Sequence, residues 1–293
     1  MNWVVLVNND IRDAFFEKFV ELFKKDKKSI LLSVDMGAKT LKENIDLIGD
    51  RVFNVGVSEA NAVSVAAGLA AKGYKPFVFG IAAFLVNRAR AQIRHDISIG
   101  NRRIGLIGSG PGLTYAEDGP SHHCLDDISM FRSFPSFTVM TPWNARSSIL
   151  SAEAIFNEPN SVYVRLDKGK GYVDEKSQLR PLKNNCWLKE MKSNTLVITV
   201  GTVIAHLEEE FKNFDILLIL SIKKDLKEEL GSVVNNYKEI IVLDESYDSS
   251  GIYSIVSEAV AEFSLTTLTN RTSKCLYVQE KWPRTELIKA YSK

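Results

Sequence analysis

Val52-Phe-Asn-Val-Gly-Val-Ser58-Glu59-Ala-Asn61-Ala-Val-Ser-Val-Ala-Ala-Gly68-Leu-Ala-Ala-Lys72-Gly73-Tyr-Lys-Pro76-Phe-Val-Phe-Gly-Ile81 is the stretch that decides the fold. Its two ends, 52–57 and 76–81, are apolar runs of strand length. Between them Ala60 to Lys72 reads as a helix, opened by Ser58 as N-cap and closed by Gly73. Strand, helix and strand in so short a span form a βαβ unit, with parallel strands and the helix across one face. The helix is almost all small, from Ala60 through Ala71, so it can lie close to a sheet or to another helix. Glu59 is its odd residue. Taken alone, a carboxylate in the first turn complements the helix dipole, worth about 0.3–1 kcal/mol.

The alternation continues in both directions. Ser29 to Val34 reads as a strand and Leu41 to Ile48 as a short helix. Phe84 to Ile97 reads as a helix, Ile104 to Ile107 and Val139 to Thr141 as strands, Ala145 to Phe156 as a helix and Val162 to Leu166 as a strand. The stretch 168–185, with Gly169, Gly171, Pro181 and seven charges, breaks the pattern. Strands at 196–200, 216–220, 240–243 and 276–278 and helices at 203–211, 226–234, 252–263 and 285–291 then resume it. The expected fold is α/β, with two domains that are each a mostly parallel sheet flanked by helices. The expected boundaries are 1–170, a linker at 171–186, and 187–293.

The chain has 293 residues, 45% apolar and 25% charged, ordinary values for two globular domains. Lys plus Arg number 37 and Asp plus Glu 36, a formal net charge of +1. No field of one sign covers the molecule, so no nucleic-acid partner is expected. No apolar run reaches the ~18 residues of a membrane span, and the patch Trp3 to Val7 is shorter than a signal-peptide core. Cys124, Cys186 and Cys275 lie far apart with no C-x-x-C, which fits a reducing, cytoplasmic setting and no structural zinc.

Two segments could carry chemistry. Gly108-Ser-Gly110-Pro-Gly112 follows a strand but lacks the helix and the later acidic residue of a dinucleotide fingerprint. Its glycines let the backbone wind close to a ligand at the carboxyl end of the sheet. Asp118-Gly-Pro-Ser-His122-His123-Cys124-Leu-Asp126-Asp127 holds two of the four histidines. They read as solvated loop residues, as part of a metal set with Asp126 and Asp127 that has no diagnostic spacing, or as a proton or hydrogen-bond donor to a substrate oxygen. No metal site is assigned. Arg88, Arg90 and Arg94 read as a solvated helix face. Arg165 ends an apolar strand at the sheet edge, where it meets either an anion or a salt-bridge partner.

Together these segments resemble the transketolase family. Val55-Gly-Val-Ser-Glu59-Ala-Asn61 resembles its glutamate-bearing helix, and Pro76 to Arg94 its pyrimidine-pocket segment. Glu117-Asp118-Gly-Pro-Ser-His122-His123 resembles its E-D-G-P-T-H-Q loop. Arg12-Asp-Ala-Phe15, Val34-Asp35-Met-Gly37, Arg132-Ser-Phe-Pro135 and Val139-Met-Thr-Pro142 match in order around them. Residues after the linker resemble the family's C-terminal domain, with Asp244-Glu245 where an acidic pair stands.

The resemblance implies a thiamine diphosphate enzyme that moves a two-carbon ketol unit from a ketose donor to a sugar aldehyde. Glu59 and His122 are the implied catalytic residues: Glu59 bonds N1′ of the aminopyrimidine, and His122 contacts the reacting oxygens. Glu59, Ile81, Phe84 and Arg88 are the implied cofactor pocket. Arg12, Asp118, His122, His123 and Arg165 are the implied substrate contacts. The family's G-D-G…N motif for diphosphate and Mg²⁺ is missing. The chain therefore reads as the C-terminal subunit of a split enzyme, whose N-terminal partner holds Mg²⁺, assembled as a dimer of heterodimers. A phosphate-binding histidine of the family falls on Gly110, a phosphate-binding serine near Lys39, a pocket aromatic on Ile81 and the loop glutamine on His123. The alternatives are the β subunit of a 2-oxo acid dehydrogenase, a 1-deoxyxylulose-5-phosphate-synthase-like enzyme, and a non-catalytic subunit that kept the fold.

Overall fold

The structure, a computed structural model, describes residues 10–172, 179–181, 186–263, 267–273 and 282–291. The patch Trp3 to Val7, Cys275, the expected strand 276–278 and the linker stretches 173–178 and 182–185 lie outside the described residues.

The first helix, Ile11–Lys25, starts where the Asp10 carboxylate accepts the amides of Arg12 and Asp13 at 2.9 and 3.1 Å. Phe15, Phe16, Phe19 and Phe23 fall on its buried face and pack on Phe77, Phe79 and Phe156. That aromatic cluster covers one face of the first sheet. The small-residue helix Glu59–Ala71 covers the other, burying Ala62, Val63, Ala66 and Ala67.

Six strands of the first sheet are β1 (Ser29–Ser33), β2 (Val52–Asn54), β3 (Lys75–Ile81), β4 (Gly105–Ser109), β5 (Phe137–Met140) and β6 (Ser161–Leu166). Then come β7 (Leu179–Pro181), β8 (Cys186–Lys189), β9 (Thr195–Val200), β10 (Asp215–Ile219), β11 (Ser221–Ile222), β12 (Glu239–Tyr247) and β13 (Thr267–Ser273). The first sheet runs β11-β5-β6-β4-β3-β1-β2, and every pair except β11–β5 is parallel. The second runs β13-β12-β9-β10-β8-β7, parallel through β10 and antiparallel at β8 and β7. The chain is thus α/β with two mostly parallel sheets between helices.

The two units interlock. Ser221 and Ile222 leave the second sheet and pair with Met140 and Val139 at the edge of the first. The Thr141 amide and hydroxyl donate to the carbonyls of Leu220 and Ile219, at 2.8 and 2.5 Å.

Several elements differ from the reading of the sequence, each for a local reason. Strand 52–57 stops at Asn54, whose side-chain oxygen accepts the amide of Gly56 (φ +72°) and turns the chain. Ser58 gives no side-chain cap; its hydroxyl donates back to the Val55 carbonyl at 2.8 Å. The helix expected at 41–48 divides at Asn44, whose amide competes for the Thr40 carbonyl. The helix expected at 84–97 divides after Arg88 and ends as a π-helix over Ile93–Ile99. Strand β13 has no counterpart in the sequence reading.

Beneath the carboxyl edge of the first sheet lies a buried ion pair. Asp127 is 0% and Arg165 5% exposed, and Nε of Arg165 donates to Asp127 at 2.8 Å. The Tyr163 hydroxyl donates to the same carboxylate oxygen at 2.9 Å. Despite burial, the negative charge of Asp127 raises the Arg165 pKa further above its usual value. Removing one partner of such a pair leaves an uncompensated buried charge. Asp127→Ala is therefore expected to cost about 3–5 kcal/mol in urea unfolding. Arg132→Ala, which breaks the exposed pair with Glu258, is expected to cost no more than ~1 kcal/mol.

Candidate active site

The candidate side chains follow the carboxyl ends of parallel strands, where an open α/β sheet leaves a crevice. Glu59 comes after β2; Ile81, Phe84 and Arg88 come at or after the end of β3. Asp118 and His122 come after β4, and Lys168 after β6.

Glu59 opens its helix and is 4% exposed. Its two carboxylate oxygens accept Nη1 of Arg88 at 3.0 and 3.3 Å. The same guanidinium lies over the Phe84 ring, with Cζ 4.2 Å from the centroid. The Phe84 ring meets the His122 ring edge-on at 4.9 Å. His122 in turn meets Tyr115 at 6.3 Å, and the Lys168 ammonium stands 5.1 Å over the Tyr115 ring. Glu59, Arg88, Phe84, His122, Tyr115 and Lys168 thus form one continuous line across the sheet edge. Ile81, half-buried, ends β3 just before the helix that carries Phe84.

His122 and Asp118 sit on a loop with a closed neck. The amide of Gly112 donates to Cys124 O at 2.9 Å, and that of Cys124 to Gly112 O at 3.0 Å. Asp118 is exposed in the turn Ala116–Asp118, and Ser121 Oγ lies 3.0 Å from His122 Nδ1. His123 turns the other way. It is 7% exposed, with Nε2 3.3 Å from the Ala116 carbonyl and Nδ1 buried without a partner. Burial pushes its pKa down, so the ring is neutral and braces the turn from inside. Cys124 is fully buried, and burial and the Asp127 charge push its thiol pKa well up, so it is no nucleophile.

The structure brings Glu59, Ile81, Phe84, Arg88 and His122 together. It sets Arg165 apart, below the crevice and bound to Asp127, and with Asp127 so engaged the set His122, Asp126, Asp127 lacks a free ligand. Arg12 lies in the first turn of the helix tied to the segment after β6 by Ile11 N to Gly169 O, 2.8 Å. Its Nε is buried and has no hydrogen-bond partner, so it retains a donor for an incoming acceptor.

Tyr115 and Lys168 were absent from the sequence-derived site. The signal for Tyr115 was Gly110. This glycine has φ +76°, and a Cβ there would collide with the Tyr115 ring. The glycine is thus the counterpart of the tyrosine, and the space beside the backbone at 110 is filled by a ring from five residues on.

The placement of Arg88 shows that an aminopyrimidine fits this pocket. A planar, delocalised hydrogen-bond donor already stands over Phe84 and donates to buried Glu59, and its side chain is 50% exposed, on the open side. A flat heteroaromatic ring with a donor on its edge would satisfy the same two partners.

Residues 8–172 match the family described as transketolase, pyrimidine binding domain. One of the two subunits of an apulose-4-phosphate transketolase of Phocaeicola vulgatus is 27% identical over 270 residues, covering 88% of this chain and 86% of that protein. A 1-deoxy-D-xylulose-5-phosphate synthase of Clostridium perfringens is 30% identical over 268 residues, covering 87% of this chain but 42% of that one. This chain therefore spans less than half the length of that relative. Among solved structures, a split gene transketolase described as an inactive β4 tetramer superposes with a TM-score of 0.80 at 22% identity, over 96% of this chain and 92% of that one. The chain belongs to the transketolase family and corresponds to the pyrimidine-binding half of its split members.

Proposed function

We propose that this chain, with a separate diphosphate-binding subunit that holds Mg²⁺, transfers a two-carbon ketol unit from a ketose to a sugar aldehyde. The observation that carries the reading is the buried Glu59 carboxylate, facing Phe84 and His122 through a partner that can be displaced. When bound, thiamine diphosphate supplies the electron sink that lets a carbon–carbon bond beside a ketone break. Glu59 holds a proton at N1′ of the pyrimidine, Phe84 and Ile81 wall its faces, and Arg88 swings off Glu59 to admit it. His122 donates to the oxygens at the reacting carbons, and Asp118 reads a hydroxyl. Arg12, Tyr115 and Lys168 form the far end of the pocket. Their cationic and aromatic groups suit a sugar that ends in an anion, in keeping with the phosphorylated sugars named in both relatives. Arg165 serves beneath them by holding Asp127.

The exposed face of the helix Glu59–Ala71 supports a partner of close fit. Asn61, Ser64, Val65, Gly68 and Ala71 are small and exposed, next to Val57 and Ile99 at 67% and 66%. The working assembly on this reading is a dimer of heterodimers in the cytoplasm, and the isolated chain turns over nothing. The β4 assembly of the split gene transketolase, described as inactive, supports that reading.

Three outcomes are expected. A tagged chain recovered from its native cells should bring down a separate protein with a G-D-G…N motif, identified by mass. Recovery of the chain alone would overturn the split-enzyme reading. With hydroxypyruvate as donor and glycolaldehyde as acceptor, Glu59→Gln in that complex should abolish turnover while leaving circular dichroism and thermal unfolding unchanged. Retained turnover would refute the role of Glu59. Gly110→Ala should destabilise the chain by about 1–3 kcal/mol through overpacking. In a double-mutant cycle followed by urea unfolding, Tyr115→Ala should recover part of that loss. Strict additivity would show that the ring does not fill the space at Gly110.

A further inference from the structure

A second buried charge cluster joins the two units directly under the loop that carries His122. Arg284 opens the C-terminal helix Arg284–Tyr291. Its Nε and Nη2 donate to the two carboxylate oxygens of Glu245, at 2.7 and 2.6 Å. Nη1 donates to Asp167 at 2.7 Å, and Nη2 also to the Thr202 hydroxyl at 3.0 Å. Thr202 itself donates to Asp167. Asp167 and Glu245 are 2% and 7% exposed, and the Arg284 side chain is 13% exposed. Burial alone would raise the Asp167 carboxyl pKa, but the Arg284 charge and the Thr202 hydrogen bond hold it below the usual range.

Each arm of this cluster reaches the loop. The other oxygen of Asp167 accepts the Thr114 hydroxyl at 2.8 Å, just inside the neck. Glu245 lies so close to Gly112 (φ +61°) that a Cβ at that position would collide with its carboxylate. Beyond Glu245, the Tyr247 amide and the Ser250 hydroxyl both donate to Leu125 O at 3.1 Å, which fixes the far side of the neck. The C-terminal helix also packs against the turn Ala116–Asp118, and its Leu287 and Ile288 are fully buried in one cluster with Leu113 and Ala116. The loop 112–125 is therefore held at both strands of its neck and along one flank by residues that come after the linker.

We propose that Arg284 is a positioning residue for His122: by gripping Asp167 and Glu245 it sets the loop 112–125 over the active site. This rests on the reading of His122 as a substrate contact. The second unit thereby acts on the reaction without touching substrate or cofactor.

Hydrogen exchange of the full chain, read by mass spectrometry, tests the brace without reference to activity. Arg284→Lys loses the fork to Glu245, and Thr202→Val removes one hydroxyl from the cluster with little change of volume. In both variants the amides of 112–125 are expected to exchange on the order of tenfold faster. Those of the helix Glu59–Ala71 and of β5 should stay at the wild-type rate. Arg132→Ala, which breaks an exposed contact between the same two units, should leave the loop unchanged. Wild-type exchange in the loop of both variants, or a uniform rise along the chain, overturns the proposal.

In the assembled complex, with hydroxypyruvate and glycolaldehyde, both variants should lose on the order of tenfold to a hundredfold in kcat/KM, with thiamine diphosphate affinity unchanged. Faster loop exchange without loss of kcat/KM also overturns it. A wild-type complex with no turnover refutes the functional reading instead, and the brace is then decided by exchange alone.

Discussion

A charge taken out of water must be paired, and three arginines in this chain meet that demand in different ways. Arg165 and Arg284 are themselves buried and face buried carboxylates, so nothing from solution can take their place. Arg88 is half exposed while the Glu59 it serves is buried. The first two pairs fix the frame, one under the crevice and one between the units. The third leaves a buried carboxylate with a partner that another planar donor can replace. Site and core share the same residue types here, and the accessibility of the cation tells them apart.

The parallel sheet does the rest of the positioning. Side chains far apart in the sequence gather because each follows the carboxyl end of a strand, and the strand order brings those ends side by side. The loop after β4 is long enough to reach across the crevice and would wander without its closed neck. Its glycines differ in purpose. Gly110 yields its side-chain space to Tyr115, and Gly112 yields its own to Glu245.

Much of this was legible in the sequence. The βαβ rhythm gave the fold class because apolar runs of strand length and a small-residue helix leave few alternatives. Glu59, Phe84 and His122 were readable from the order of their motifs. The short strands β7, β8 and β11 were not, because two to four residues carry too little periodicity to stand out. Arg165 illustrates a deeper limit: an arginine that ends an apolar strand looks the same whether it awaits an anion or already holds one, and only the packing of Asp127 beneath it decides. Arg284 was invisible for a related reason, since its partners come from three separate segments.

The strand exchange at β11 has a consequence for how such proteins are put together. Because Ser221 and Ile222 complete the first sheet, the edge of β5 is closed by backbone from beyond the linker. Severing the chain at the linker would strip β5 of those partners and leave the groups at Val139, Met140 and Thr141 open to any passing strand. The natural seam of the gene is therefore not the seam that the composition suggests. A recombination that swapped everything after the linker would inherit a mismatched sheet edge, so the two units are constrained to travel and to diverge as one.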